Sequence, residues 1–133
     1  MIGVDTNLLV RYLTQDHASQ YAKARDFIDK ATARGEAFLI NSVVMCEVTW
    51  VLQSAYKYSR GDITDALEQI LATEQFVVEH ADEARQAVTD CRTTRAAFAD
   101  AFIGRINRAL GAEQTATFDR DLNRLETFQV LMA

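Results

Sequence analysis

The sequence predicts an α/β fold in which helices cover both faces of a mainly parallel sheet. Three observations predict it. Short apolar runs, too brief for helices and the right length for buried strands, recur along the chain. Longer stretches with apolar residues three and four apart separate them. Proline is absent and only 5 glycines occur, so regular elements dominate. Strands that alternate with helices form parallel sheets, because a parallel pair needs a long crossover.

The first strand is read at residues 2–4 and ends in Asp5-Thr6-Asn7. Leu8, Leu9, Tyr12 and Leu13 then repeat at helical spacing in a short helix that fades at Thr14-Gln15-Asp16. Tyr21, Ala24, Phe27, Ile28 and Ala31 mark a second helix. It ends near Arg34-Gly35, where glycine suits a left-handed terminal residue. Residues 37–40 form the second strand, and Asn41-Ser42 offers a cap for the third helix. That long helix is expected over residues 43–58, broken by Ser59-Arg60-Gly61-Asp62. Asp62 is expected to cap the next helix, whose face is Ile63, Ala66, Leu67, Ile70 and Leu71. Residues 76–78 are the third strand, and 81–92 are amphipathic. After Thr93-Thr94-Arg95 a helix opens at Phe98 and runs to about Leu110-Gly111. Residues 115–118 form the fourth strand, followed by the polar loop Asp119-Arg120-Asp121, and residues 128–131 close the sheet.

A length of 133 residues, 49% apolar and 25% charged, fits a single domain over residues 1–133 with a proper core. The net charge of −5 is opposite to that of a general nucleic-acid coat. It is compatible with an enzyme that meets nucleic acid through metal ions held by carboxylates. Cys46 and Cys91 lack His or Cys partners at zinc-site spacing and read as core thiols in a reducing cytosol. A cytoplasmic location is therefore expected. No stretch has the apolar length of a membrane span, and the N-terminus lacks the basic start of a signal peptide.

Four carboxylates stand in unusual contexts. Asp5 follows the first strand, and Asp119 follows the fourth, with Asp121 two residues on. Glu47 lies among Val43, Val44 and Val48, where an acid needs compensation if it is buried. Asp100 sits between Ala99 and Ala101 in a first helical turn, where the helix dipole favours its charge. Each has an ordinary alternative: a cap for Asp5, a solvated edge for Glu47, a first-turn acid for Asp100, a turn former for Asp119 and Asp121. Strands that end side by side would bring Asp5 and Asp119 together, with Glu47 and Asp100 on helices beside them. Acids so gathered repel and raise one another's pKa values, and a hard cation such as Mg²⁺ neutralises them. Asn7 and Thr117 are candidates to orient the carboxylates or bound waters.

These residues carry a family resemblance. The chain resembles the PIN-domain ribonucleases, and among them the VapC-type toxins of bacterial toxin–antitoxin pairs. The likeness rests on Val4-Asp5-Thr6-Asn7, on Glu47, on Phe98-Ala99-Asp100-Ala101-Phe102-Ile103, and on Thr117-Phe118-Asp119-Arg120-Asp121. It implies a three-layer α/β/α sandwich with a central, mainly parallel five-stranded sheet. It also implies a Mg²⁺- or Mn²⁺-dependent endoribonuclease whose metal is held by Asp5, Glu47, Asp100 and Asp119. Asp121 is an alternative ligand to Asp119 or a supporting acid. The expected partners are an RNA substrate, a cognate antitoxin protein and a second copy of the chain in a homodimer. One departure stands out: many relatives carry a further Asp where this chain has Ala97.

RNA contact calls for local positive charge. Lys57, Arg60, Arg92, Arg95, Arg105, Arg108 and Arg120 are the candidates for phosphate contacts, against the alternative of solvated helix faces, and Arg11 is a candidate to lie near the site. Tyr12, Trp50, Tyr56 and Tyr58 are expected in core or interface packing rather than in base stacking. Two other classes stay open. A phosphatase with an N-terminal nucleophilic Asp would want a second Asp where Asn7 stands. A catalytically weakened PIN-like module for binding and dimer formation is suggested by Ala97.

Overall fold

A computed structural model describes residues 1–132, which divide into two units at the Glu79–His80 junction. In the first unit β1 (Ile2–Gly3), β2 (Phe38–Ile40) and β3 (Phe76–Val78) pair in that order, all parallel. Two helices make each crossover. α1 (Thr6–Thr14) and α2 (Ala18–Ala33) join β1 to β2, and α3 (Ser42–Ser54) and α4 (Arg60–Ala72) join β2 to β3. The central strand is the most deeply covered, with Phe38 and Ile40 wholly buried. The Phe38 ring meets Phe27 and Phe76 edge-on, at centroid distances of 6.1 and 6.3 Å. Burying a ring of that size contributes about 1.5–3 kcal/mol. Leu9 from α1, Ile28 from α2, Met45, Val48 and Leu52 from α3, and Leu67 and Ile70 from α4 complete this core.

The second unit holds α5 (Ala81–Thr93), α6 (Phe98–Ala109), β4 (Thr115–Thr117), a 3-10 turn (Arg120–Leu122) and β5 (Phe128–Val130). β4 and β5 are parallel, with Thr115 opposite Phe128. α5 and α6 pack together and are tied by an ion pair. Arg105 of α6 donates to both carboxylate oxygens of Asp90 of α5, at 2.8 and 2.9 Å. Gly104 lets α6 approach β5 closely: a Cβ there would lie 2.5 Å from the Phe128 ring.

All five expected strands are present and every pairing is parallel, so the α/β class stands. They form a three-stranded and a two-stranded sheet rather than one five-stranded sheet. Each strand is only two or three residues long. Ladders so short offer few hydrogen bonds, and the apolar runs overstate the paired length.

Two helix ends also differ from expectation. α3 stops at Ser54, not Tyr58. The Tyr58 amide turns back to the Leu52 carbonyl, and Lys57 is left-handed with φ 57°. Ser59, not Asp62, caps α4. Its hydroxyl accepts the Asp62 amide, and the Asp62 carboxylate accepts the Ser59 amide, a reciprocal capping box. Elsewhere the local signals hold. Asn41 caps α3 by accepting the Val44 amide at 2.9 Å, and Gly35 closes α2 with φ 83°.

Candidate active site

In the first unit, the chain leaves β1 extended and Asp5 becomes the N-cap of α1. Its Oδ1 accepts the Leu8 amide at 3.0 Å. The cap reading of Asp5 is therefore correct, and it uses one carboxylate oxygen. Glu47 lies in the second turn of α3 and is exposed. The expectation of an acid in apolar surroundings fails here for a reason of helical phase. Val44 and Val48 turn inward, whereas Val43 is 66% exposed and shares the outer side with Glu47. The Thr6 hydroxyl, beside Asp5 in sequence, donates to Glu47 Oε1 at 2.9 Å. Asn7 is exposed and makes no hydrogen bond to Asp5 or Glu47 among the described residues. With Asp5, Leu8 and Arg11 it lines an open hollow of about 360 Å³.

In the second unit, Asp100 occupies the third position of α6. Its side chain accepts no hydrogen bond among the described residues. Burial pushes its pKa up, and the charge of Asp119 pushes it further in the same direction. Asp119 caps the 3-10 turn, its Oδ1 accepting the Asp121 amide at 2.9 Å. The Asp119 amide donates to the Thr117 hydroxyl at 3.0 Å, so Thr117 fixes the start of that turn. Asp121 meets Asp119 through its backbone amide. Ala97 is the N-cap of α6 and supplies no side-chain acceptor. The acids thus come as one pair in each unit: Asp5 with Glu47 through Thr6, and Asp100 with Asp119. Among the described residues no group of three or more His, Cys, Asp or Glu side chains is close enough to hold a metal ion.

The PIN domain family model matches residues 2–127 and so runs through both units. The chain belongs to the PIN-domain family. A relative, the VapC ribonuclease of Aquifex aeolicus (strain VF5), is 25% identical over 122 residues, covering 92% of this chain and 90% of its own.

Several side chains of this PIN domain have other duties than those expected. Arg105 is committed to Asp90, and its pKa is raised first by its hydrogen bonds to that carboxylate. Arg108 binds the carbonyls of Glu113 and Glu126 and the Glu126 carboxylate. Neither is an open phosphate contact. Arg11 is held by Gln20 and by the Tyr56 hydroxyl. Tyr12 packs edge-on against Phe76, and Tyr56 against Tyr58, as expected. Trp50 is 69% exposed and belongs to no core of the single chain. Cys46 and Cys91 are in no disulfide. No helix of the described residues is long and apolar enough to cross a membrane.

Two residues carry roles that the sequence does not announce. Thr6 is visible as the polar neighbour of Asp5, yet its partner is 41 positions away. Asp90 has no signal beyond being an acid on an amphipathic helix.

Proposed function

We propose that this PIN domain is a divalent-metal-dependent endoribonuclease and the toxin of a toxin–antitoxin pair. The observation that carries the reading is the Asp100–Asp119 pair. Two carboxylates from different elements oppose each other, and Asp100 has no hydrogen bond among the described residues to offset the cost. A cation relieves that repulsion. The donor set is oxygen only, which suits Mg²⁺ or Mn²⁺ rather than a thiolate- or imidazole-loving metal.

In this reading Asp5, Glu47, Asp100 and Asp119 are the metal ligands, and residues 1–133 act as one PIN domain. A metal bound there supplies a water of lowered pKa and polarises a phosphoryl oxygen of RNA. The chain's own groups do the positioning. The Leu8 amide fixes one oxygen of Asp5, the Asp121 amide fixes one oxygen of Asp119, and Thr6 holds Glu47. Asn7 and Asp121 remain within the assigned site as supporting polar groups, and Thr117 sets the turn that presents Asp119. The Aquifex aeolicus relative bears the name VapC ribonuclease, which supports RNA as substrate. A cognate antitoxin, a homodimer and a cytoplasmic location complete the proposal.

Asp100→Asn removes the charge and keeps the shape. Cleavage of RNA in Mn²⁺ is expected to fall by at least about 100-fold, the scale of losing one electrostatic stabiliser, with a melting temperature no lower than the parent's. Retained cleavage by a rigorously nuclease-free preparation overturns the assignment. One observation favours a second reading, a weakened binding module: the cap of α6 is Ala97, which supplies no carboxylate. Calorimetric titration with Mn²⁺ separates the two, since the module predicts neither heat nor a rise in melting temperature.

A further inference from the structure

The second unit contains a hollow of about 560 Å³ lined by Arg92, Arg95, Arg120 and Arg124. Thr93, Thr94 and Asn123 add polar walls, and Asp121 is the single acid of that lining. A net positive hollow is conspicuous in a chain of net charge −5. Two of the polar walls are already occupied. The Thr93 hydroxyl donates to the Thr89 carbonyl, and the Thr94 hydroxyl to the Asp90 carbonyl. The guanidinium groups of Arg95, Arg120 and Arg124 are therefore the main donors left to a ligand.

Arg95, Arg120 and Arg124 are exposed and make no ion pair or hydrogen bond through their side chains among the described residues. This differs from Arg105 and Arg108 of the same unit, both tied to carboxylates. Arginine presents a planar fork of donors that matches phosphate oxygens. The lining has no aromatic or aliphatic side chain, so it offers little to the apolar residues of a docking peptide. The hollow is also close in sequence to the acidic pair. Arg120 follows Asp119 directly, and Arg95 stands two positions before the cap of α6.

We propose that this arginine hollow binds the phosphates of a single-stranded RNA segment flanking the bond to be cut. The proposal rests on the nuclease reading for the identity of its ligand and goes beyond it in assigning the residues that seat the strand. Nucleotides on one side of the scissile phosphate then lie along Arg95, Arg120 and Arg124, and the negative total charge of the chain confines binding to that track.

The test is binding of a fluorescein-labelled single-stranded RNA to the full chain in EDTA, where metal-dependent cleavage stops, across a salt series. Each phosphate contact on a single strand contributes about 0.7 to the slope of log affinity against log salt. The Arg95→Ala/Arg120→Ala/Arg124→Ala variant should therefore lower that slope by about 2, and the matching Lys variant should restore it. Removing equal charge elsewhere, in Lys30→Ala/Arg34→Ala/Arg85→Ala, should leave the slope unchanged. Thermal melts check that the fold persists.

An unchanged slope in the arginine variant overturns the site, as does an equal loss in the Lys30→Ala/Arg34→Ala/Arg85→Ala control or no RNA binding by the parent chain. Retained RNA binding with lost binding of polyglutamate also overturns it and assigns the hollow to an acidic polypeptide. Cleavage in Mn²⁺ is scored separately. Cleavage with no slope effect removes this site and leaves the nuclease reading intact, whereas a slope effect without cleavage does the reverse.

Discussion

Breaking the Asp90–Arg105 pair should be the most damaging single polar change in the second unit. Arg105→Leu leaves Asp90, only 5% exposed, without its bidentate partner. Stranding a buried charge costs about 3–5 kcal/mol, and the residual 19% exposure of Arg105 argues for the lower end, about 3 kcal/mol. With about 2.1 cal/mol/K of unfolding entropy per residue, a chain of 133 residues loses about 11 °C of melting temperature for that amount. The assay is calorimetric or circular-dichroism melting at pH 7. The double variant Asp90→Leu/Arg105→Leu should recover much of the loss, because no charge is then left stranded. α6 carries Asp100, so the single variant should also lose cleavage as melting approaches the assay temperature. A shift below about 3 °C, the size expected of a solvent-exposed pair, would refute the reasoning.

Gly104→Ala drives a Cβ to 2.5 Å from the Phe128 ring and 2.8 Å from Thr127 Oγ1. Overpacking of that kind should cost about 1–3 kcal/mol in urea unfolding, and an unchanged midpoint would contradict the close approach. Ala97→Asp supplies the missing cap of α6, a gain of about 1 kcal/mol that repulsion from Asp100 offsets. Its signature is a larger Mn²⁺-induced rise in melting temperature than the parent shows; an equal rise removes position 97 from the site. The raised pKa of Asp100 gives Asp100→Asn a pH signature in metal-free protein. Below the ordinary value of 3.8 both folded and unfolded chains hold the proton, and the group contributes nothing. As pH rises through that value the unfolded chain ionises first, and the folded state is penalised. Asp100→Asn should therefore melt slightly higher than the parent at pH 7, with the gain fading below about pH 4; a gain undiminished at pH 3 would assign it another cause.

The part of the molecule legible in the sequence is the part that local patterns encode. The five strands and six helices of the described residues announce themselves as apolar runs and as faces of helical period. Asp5, Asp100 and Asp119 can be placed because each sits at an element end marked by its neighbours. Glu47 misleads because linear neighbours are not spatial ones: one helical step separates a buried Val48 from an exposed acid. The Thr6–Glu47 bond and the Asp90–Arg105 pair join positions 41 and 15 apart, and no local pattern encodes such meetings. Asp62 reads as a cap because either partner of a capping box can be mistaken for it.

Asp5 and Asp119 share a trait with a consequence for reading variants. Each spends Oδ1 on a backbone amide and so helps its own segment to fold. A screen that scores folding alone would keep both, whether or not the protein ever cut a strand. Asp100 gives nothing to the backbone and carries an electrostatic burden. Of these three acids, it is the one whose retention under random mutagenesis would report demand for chemistry and not for shape.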